Sequence, residues 1–231
     1  MSDAQDHQRR QNLRHRKQSF RRRISEEAAN TIIHFAGLIL SIIGSIILLN
    51  LAIPTGDPWR IISAIIYGLS LISLFGASTL YHFTANPRRK YRLRLWDHNA
   101  IYFLIAGSYT PFLLVTLRGP WGWSLLTIIW SLALAGFILK TFISHKANRR
   151  STALYLAMGW LAIVAAKPLY DSLQTGGIIL LVAGGLAYTA GTWFFARDFR
   201  PFYHAIWHLF VLAGAACHFL AIARYVIPGA S

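Results

Sequence analysis

Apolar residues in this chain fall in seven blocks separated by short polar stretches, each close to the ~20 residues needed to cross a bilayer. They run Ala28–Ile53, Ile61–Phe83, Asp97–Leu117, Trp121–Phe142, Thr152–Lys167, Gly177–Ala196 and His204–Ile227. The fifth is the shortest. The pattern predicts an all-α, polytopic membrane protein: a seven-helix transmembrane bundle over residues 26–231, preceded by a basic arm over residues 1–25. The connecting loops are too short for a second domain. The first apolar run is longer than the apolar region of a cleavable signal peptide and lacks a convincing cleavage site, so it reads as a signal anchor.

Composition supports this. Hydrophobic residues make up 55% of the chain and charged residues only 13%, about half the usual share for a soluble domain. The net charge of +15 would point to nucleic acid in a soluble protein, but its distribution argues for a membrane. The arm holds eight Lys/Arg, the loop after the second block holds five (Arg88, Arg89, Lys90, Arg92, Arg94), and Lys140, Lys146, Arg149, Arg150, Arg197 and Arg200 follow. Those nineteen of twenty-three fall on one side of an alternating topology; Arg60, Arg118, Lys167 and Arg224 fall on the other. The positive-inside rule then predicts a cytoplasmic N-terminus and an outer C-terminus. The expected partners of the basic loops are anionic lipid headgroups, with no nucleic acid. Cys217 is alone, which excludes an internal disulfide and suits a small packing residue. The sequence leaves the oligomeric state open.

Polar residues inside the blocks are few, and a polar group among lipid tails usually has a function. The last block opens with His204 and His208, four residues apart and therefore on one helix face. The second closes with Ser78 and His82 at the same spacing, the third opens with Asp97 and His98, and the first with Glu26, Glu27, Asn30 and His34. The predicted topology brings all four ends to one depth, in the cytoplasmic leaflet.

His82, His204 and His208 then form a natural three-imidazole zinc site with a fourth position free for water, the arrangement of catalytic rather than structural zinc. Zinc would acidify that water and polarise a carbonyl. Asp97 is the candidate to orient the water or take its proton, and Ser78 to hydrogen-bond the water, the carboxylate or a developing oxyanion. His34 reads as a partner of the shell or part of a proton path, with ligation the minor reading. His98 lies about 100° round the helix from Asp97 and reads as structural or supporting, Tyr81 and Trp207 as packing, and His145 as a solvated loop residue. His218 lies about 15 Å deeper than His208 by helix rise and cannot join the same shell. The run Gly107-Ser108-Tyr109-Thr110-Pro111-Phe112 predicts a close helix crossing and a kink, with Ser108 and Thr110 re-satisfying freed backbone groups.

These residues resemble the hemolysin III family, the bacterial branch of the progestin and adiponectin receptor (PAQR) superfamily. The similarity covers nearly everything after the arm: Glu26-Glu27-Ala28-Ala29-Asn30 with His34, then Ser78-x-x-x-His82, then Asp97-His98-Asn99-Ala100-Ile101-Tyr102 with the Gly107–Phe112 run, then His204-x-x-x-His208-Leu209-Phe210. The resemblance implies seven transmembrane helices, a cytoplasmic N-terminus, zinc on His82, His204 and His208, and Asp97 and Ser78 beside the zinc-bound water. The His82-to-Asp97 interval is slightly shorter than in the animal receptors. No extracellular hormone-binding domain accompanies the bundle, so receptor function does not transfer.

Three functions remain open at this point. The zinc site at headgroup-to-acyl depth suits an intramembrane hydrolase of a lipid amide or ester. The family name and the polar groups His34, Asp97, His204, His208 and His218 suit a channel, a pore or a regulator of membrane energetics and fluidity. Zinc that only fixes the bundle suits a receptor or scaffold. A retinal protein is excluded by the absence of lysine from the seventh block.

Overall fold

The computed structural model describes residues 3–143 and 149–228, with side chains described at 22–142 and 152–228. His145, Lys146 and most of the basic arm's side chains lie outside that range. Among the described residues there is no strand, and seven helical stretches are long and apolar enough to cross a membrane: Arg22–Thr55, Pro58–Phe83, Pro87–Thr116, Pro120–Phe142, Thr152–Ser172, Thr175–Phe195 and Tyr203–Tyr225. The chain is a multi-pass membrane protein. The fifth span reaches past Lys167 to Ser172, and the third begins ten residues before Asp97.

Helix α1 (Asp3–Ala52) is continuous, so the arm and the first span form one rod; nothing between residues 3 and 36 is Gly or Pro. The rod ends where Pro54 enters a 3₁₀ turn and Gly56 adopts φ 64°, a left-handed conformation that suits glycine. Helices α2 (Pro58–Phe83) and α3 (Pro87–Pro111) start alike, with a capping side chain followed by proline. Asp57 accepts from the Trp59 N–H at 3.0 Å, and Asn86 from the Arg88 and Arg89 N–H groups at 3.0 and 3.2 Å.

The predicted close crossing is present. A Cβ on Gly107 would overlap Ser70 Oγ, so α2 and α3 touch through hydrogen at this point. After Pro111 the helix widens into a π-turn, Phe112–Thr116, and the Ser108 and Thr110 hydroxyls donate to the carbonyls of Ile105 (2.8 Å) and Ala106 (2.9 Å). Helix α4 (Pro120–Ile138) likewise ends in a π-turn, Leu139–Ile143.

The fifth span is broken: α5 (Arg149–Gly159), a 3₁₀ stretch Trp160–Ala165, then α6 (Ala166–Ser172). A break at this depth needs partners for its freed backbone groups. Tyr109 of α3 supplies them. Its hydroxyl donates toward the carbonyls of Met158 (2.9 Å) and Gly159 (2.7 Å) and accepts from the Ala162 N–H (2.8 Å).

Helices α7 (Thr175–Phe195) and α8 (Tyr203–Tyr225) pack along their length, with Gly184 making room for the His218 ring and Gly214 for Tyr188. The helices close a ring: α1 on α2, α2 on α3, α3 on α4 and α5, α5 on α7, α7 on α8, and α8 back on α1. That closure brings the His34 region of α1, the end of α2 and the starts of α3 and α8 to one end of the bundle. At the other end, Asp57 pairs with Arg118 and Arg60, and Arg60 Nη1 donates to the Ile227 carbonyl at 2.6 Å.

Candidate metal centre

The site is assembled from helix ends. Ser78 and His82 occupy one face of the last turns of α2, and both are buried. Asp97 sits three turns into α3, also buried, and accepts a hydrogen bond from the Ser78 hydroxyl. The carboxylate is one of the partners the sequence reading offered for this hydroxyl. On α8, His208 is 1% exposed, while His204, one turn nearer the end, is half-buried. From α1 comes His34, also 1% exposed.

The imidazoles converge. His82 Nε2 and His208 Nε2 are 3.1 Å apart. The His204 ring centre is 4.5 Å from that of His208 and 5.5 Å from that of His82. The His34 ring stands edge-on to His208 with centres 4.0 Å apart, and parallel to His82 at 5.8 Å. Among the described residues, His34, His82 and His208 offer nitrogens all within 4.8 Å of one another.

His82 carries the clearest statement of tautomer. Its Nδ1 is 2.9 Å from Glu27 Oε2, and a carboxylate only accepts, so the proton is on Nδ1. In the neutral ring Nε2 then presents a lone pair toward His208. The other oxygen of Glu27 meets Lys90 Nζ at 2.9 Å, which fixes the carboxylate between α1, α2 and α3. His204 has a looser version of this arrangement, with Asp198 Oδ2 at 4.0 Å from Nδ1. A carboxylate behind the distal nitrogen is the usual support of a metal-bound imidazole.

These residues fit a zinc ion. Imidazole nitrogens sharing a tetrahedral zinc, with bonds of ~2.0–2.1 Å, stand about 3.3 Å apart, close to the His82–His208 separation. The cluster also holds buried nitrogens without a protein partner: both of His34 and Nδ1 of His208. Imidazoles without acidic ligands suit zinc over magnesium or calcium.

One face of the centre opens into a cavity between α3, α5, α7 and α8. His34, Ser78, Asp97 and His208 line its near end. Leu74, Ile101, Leu104, Trp160 and Val211 make its walls mostly apolar, and Tyr188 and His218 lie at the far end.

The structure brings all five sequence-predicted site residues to one end and pairs Asp97 with Ser78, but among the described residues the histidines whose nitrogens come together are His34, His82 and His208, with the His204 ring packed beside them rather than in that trio. His218 Nε2 instead donates to the Leu181 carbonyl at 3.2 Å, away from the cluster. His98 lines the cavity, and Trp207 packs on His208 and Phe195. Two residues carry more than their sequence reading. Lys140, counted among the loop charges, is buried in the π-turn after α4 and lines the cavity. Glu27 is the partner of His82. Its signal was present, since Glu27, Asn30 and His34 are spaced i, i+3, i+7 on one helix face.

Comparison with known proteins gives the family. The family described as haemolysin-III related matches residues 22–219. Hemolysin-3 of Bacillus cereus is 49% identical over 208 residues, covering 90% of this chain and 95% of that protein. A hemolysin-3 homolog of Bacillus subtilis is 47% identical over 204 residues, covering 88% and 96%. The human monocyte to macrophage differentiation factor is 35% identical over 207 residues, covering 87% and 84%. The match runs through every element that builds the histidine cluster, and the chain belongs to the haemolysin-III-related family.

Proposed function

We propose that this chain is an intramembrane zinc hydrolase that acts on a lipid amide or ester. In this reading His82, His204 and His208 hold zinc, which when bound supplies Lewis-acid polarisation of a carbonyl and an acidified water. Asp97, oriented by Ser78, accepts the proton of the attacking water and returns it to the leaving group. Glu27 keeps the His82 proton on Nδ1 so that Nε2 faces the centre. The apolar cavity holds the acyl chain, excludes bulk water and sets the carbonyl at the polar end.

The observation that carries this reading is the sharing of one cavity by His208, Asp97, Ser78 and a largely apolar wall. A zinc that only braced the bundle would have no use for an open face or for a buried carboxylate beside it. A pore would need polar lining through the outer half, whereas Leu104, Trp160 and Val211 line the space before His218. The distribution of Lys and Arg supports placing the centre in the cytoplasmic leaflet of a bacterial inner membrane, N-terminus inside, with the basic loops against anionic headgroups.

The test is zinc analysis of the purified protein, followed by incubation in vesicles doped with acylated amides and esters. One zinc per chain and release of free fatty acid are expected, and both disappear on chelation or in His208→Ala. Undiminished hydrolysis by metal-free protein or by His208→Ala would count against the mechanism. Zinc-independent current across a reconstituted bilayer would favour a pore.

A further inference from the structure

Four histidines, rather than three, converge at the centre, and the fourth has no other visible use. His34 is 1% exposed, yet neither ring nitrogen has a protein partner. A neutral imidazole carries one donor and one acceptor, and burying both unpaired among lipid-facing helices is costly. Packing alone does not account for it, because a leucine or methionine would fill the same space without polar atoms. Nor does hydrogen bonding to the catalytic pair, since neither His34 nitrogen bonds Ser78 or Asp97. The ring sits edge-on against His208 with centres 4.0 Å apart, and its nitrogens lie within 4.8 Å of those of His82 and His208.

His34 also differs from His82 and His204 in what it faces. Neither of those lines the cavity, whereas His34 does, beside Asp97 and Ser78. His204 lies on the rim beside Asp198 at 4.0 Å, with its side chain 30% exposed. The two therefore reach the His82–His208 pair from different sides, His204 from the rim and His34 from the cavity.

We propose that His34 is a fourth imidazole of the metal centre, holding in the resting protein the coordination position that water and substrate need. This rests on the zinc reading above. Opening the site is a ligand exchange: the bond from a His34 nitrogen to the metal breaks, a bond from a water or carbonyl oxygen forms, and no proton or electron changes hands. An empty cavity then leaves a closed four-nitrogen site, and occupancy by lipid frees the cavity side. His34 belongs to α1, the helix that also carries Glu27 behind His82, so a small rotation or shift of α1 acts on the centre at both points.

The test uses intact protein in detergent, loaded with zinc or with cobalt. X-ray absorption at the zinc edge counts imidazoles, and visible absorption of the cobalt form reports binding of azide as an exogenous ligand. Wild type is expected to show four imidazoles and weak azide binding. His34→Ala should show three imidazoles plus an oxygen and bind azide at least tenfold more tightly, and His204→Ala should still retain zinc on three imidazoles. Three imidazoles and an oxygen in the wild type, which needs no variant to fold, would overturn the assignment while leaving the zinc enzyme intact. Identical azide titrations for wild type and His34→Ala would do the same. A wild-type protein that takes up no stoichiometric zinc would overturn both readings.

Discussion

The two ends of the bundle treat polar groups in opposite ways. Around Asp57 they answer one another: the carboxylate caps α2 at Trp59, pairs with Arg118 and Arg60, and Arg60 in turn holds the Ile227 carbonyl. Around His208 they do not, since His34 and His208 retain nitrogens with no protein partner and the space beside them is open. The first end is a latch, complete within the protein. The second leaves nitrogens unpaired among the described residues. Within one fold, burial of polar groups thus serves cohesion where valences are filled and, in the reading proposed above, chemistry where they are left over.

The contrast can be broken most severely at Asp97. Asp97→Asn is expected to keep zinc and lower lipid hydrolysis by ~10²–10⁴, the usual contribution of a positioned general base. Zinc content and turnover measured on one preparation check it. Unchanged turnover would assign Asp97 to structure, as at the Asp57 end. Next is Glu27→Gln, where the amide can still accept from His82 but without charge. Zinc affinity should fall ~10–100-fold by competition with a chromophoric chelator, with the bundle still folded. A middle case is Gly107→Val, which touches neither end but forces a side chain into Ser70. Its cost is about 1–3 kcal/mol, read as a lower thermal midpoint in detergent with or without zinc.

The smallest effect lies at the latch. Desolvation is the largest single influence on Asp57 and opposes its ionisation, but the Arg118 hydrogen bond, the Trp59 N–H and the two guanidinium charges together outweigh it and hold the carboxyl below its usual range. Its stabilising contribution is therefore present above pH ~4 and fades as pH falls through the lowered folded-state value. Asp57→Asn should cost about 1 kcal/mol or less at neutral pH, lose its difference from wild type in acid, and leave zinc content untouched. A large loss of zinc in this variant would mean the two ends are coupled.

How far the sequence reaches differs between these features. Each span was legible because the bilayer imposes a length on every apolar run, and all seven appear. The fifth was read short and unbroken. Its mid-helix 3₁₀ stretch depends on the hydroxyl of Tyr109 arriving from another helix, which no local pattern announces. The Ser78–His82 and His204–His208 pairs were legible because helical pitch places such residues on one face. Lys140 was misread as a loop charge because a single cation near a span end has no periodicity to reveal which way it points.

The sequence by itself determined the number of spans, the side of an alternating topology on which most basic residues fall, and the end of the bundle at which the histidines, Asp97 and Ser78 meet. These follow from chain-local quantities: run length, charge count and rise per residue. Only the tertiary structure decided that His34 stands as near the centre as any proposed ligand, that Glu27 backs His82, and that an apolar cavity opens on that side. The physical reason is the solvent. A helix in water must turn its apolar stripe inward, but lipid is as apolar as the protein interior, so hydropathy does not set the rotation of a membrane helix about its axis. Rotation and neighbour order come from glycine crossings and ring-to-ring packing between helices, and these exist only once the bundle has closed.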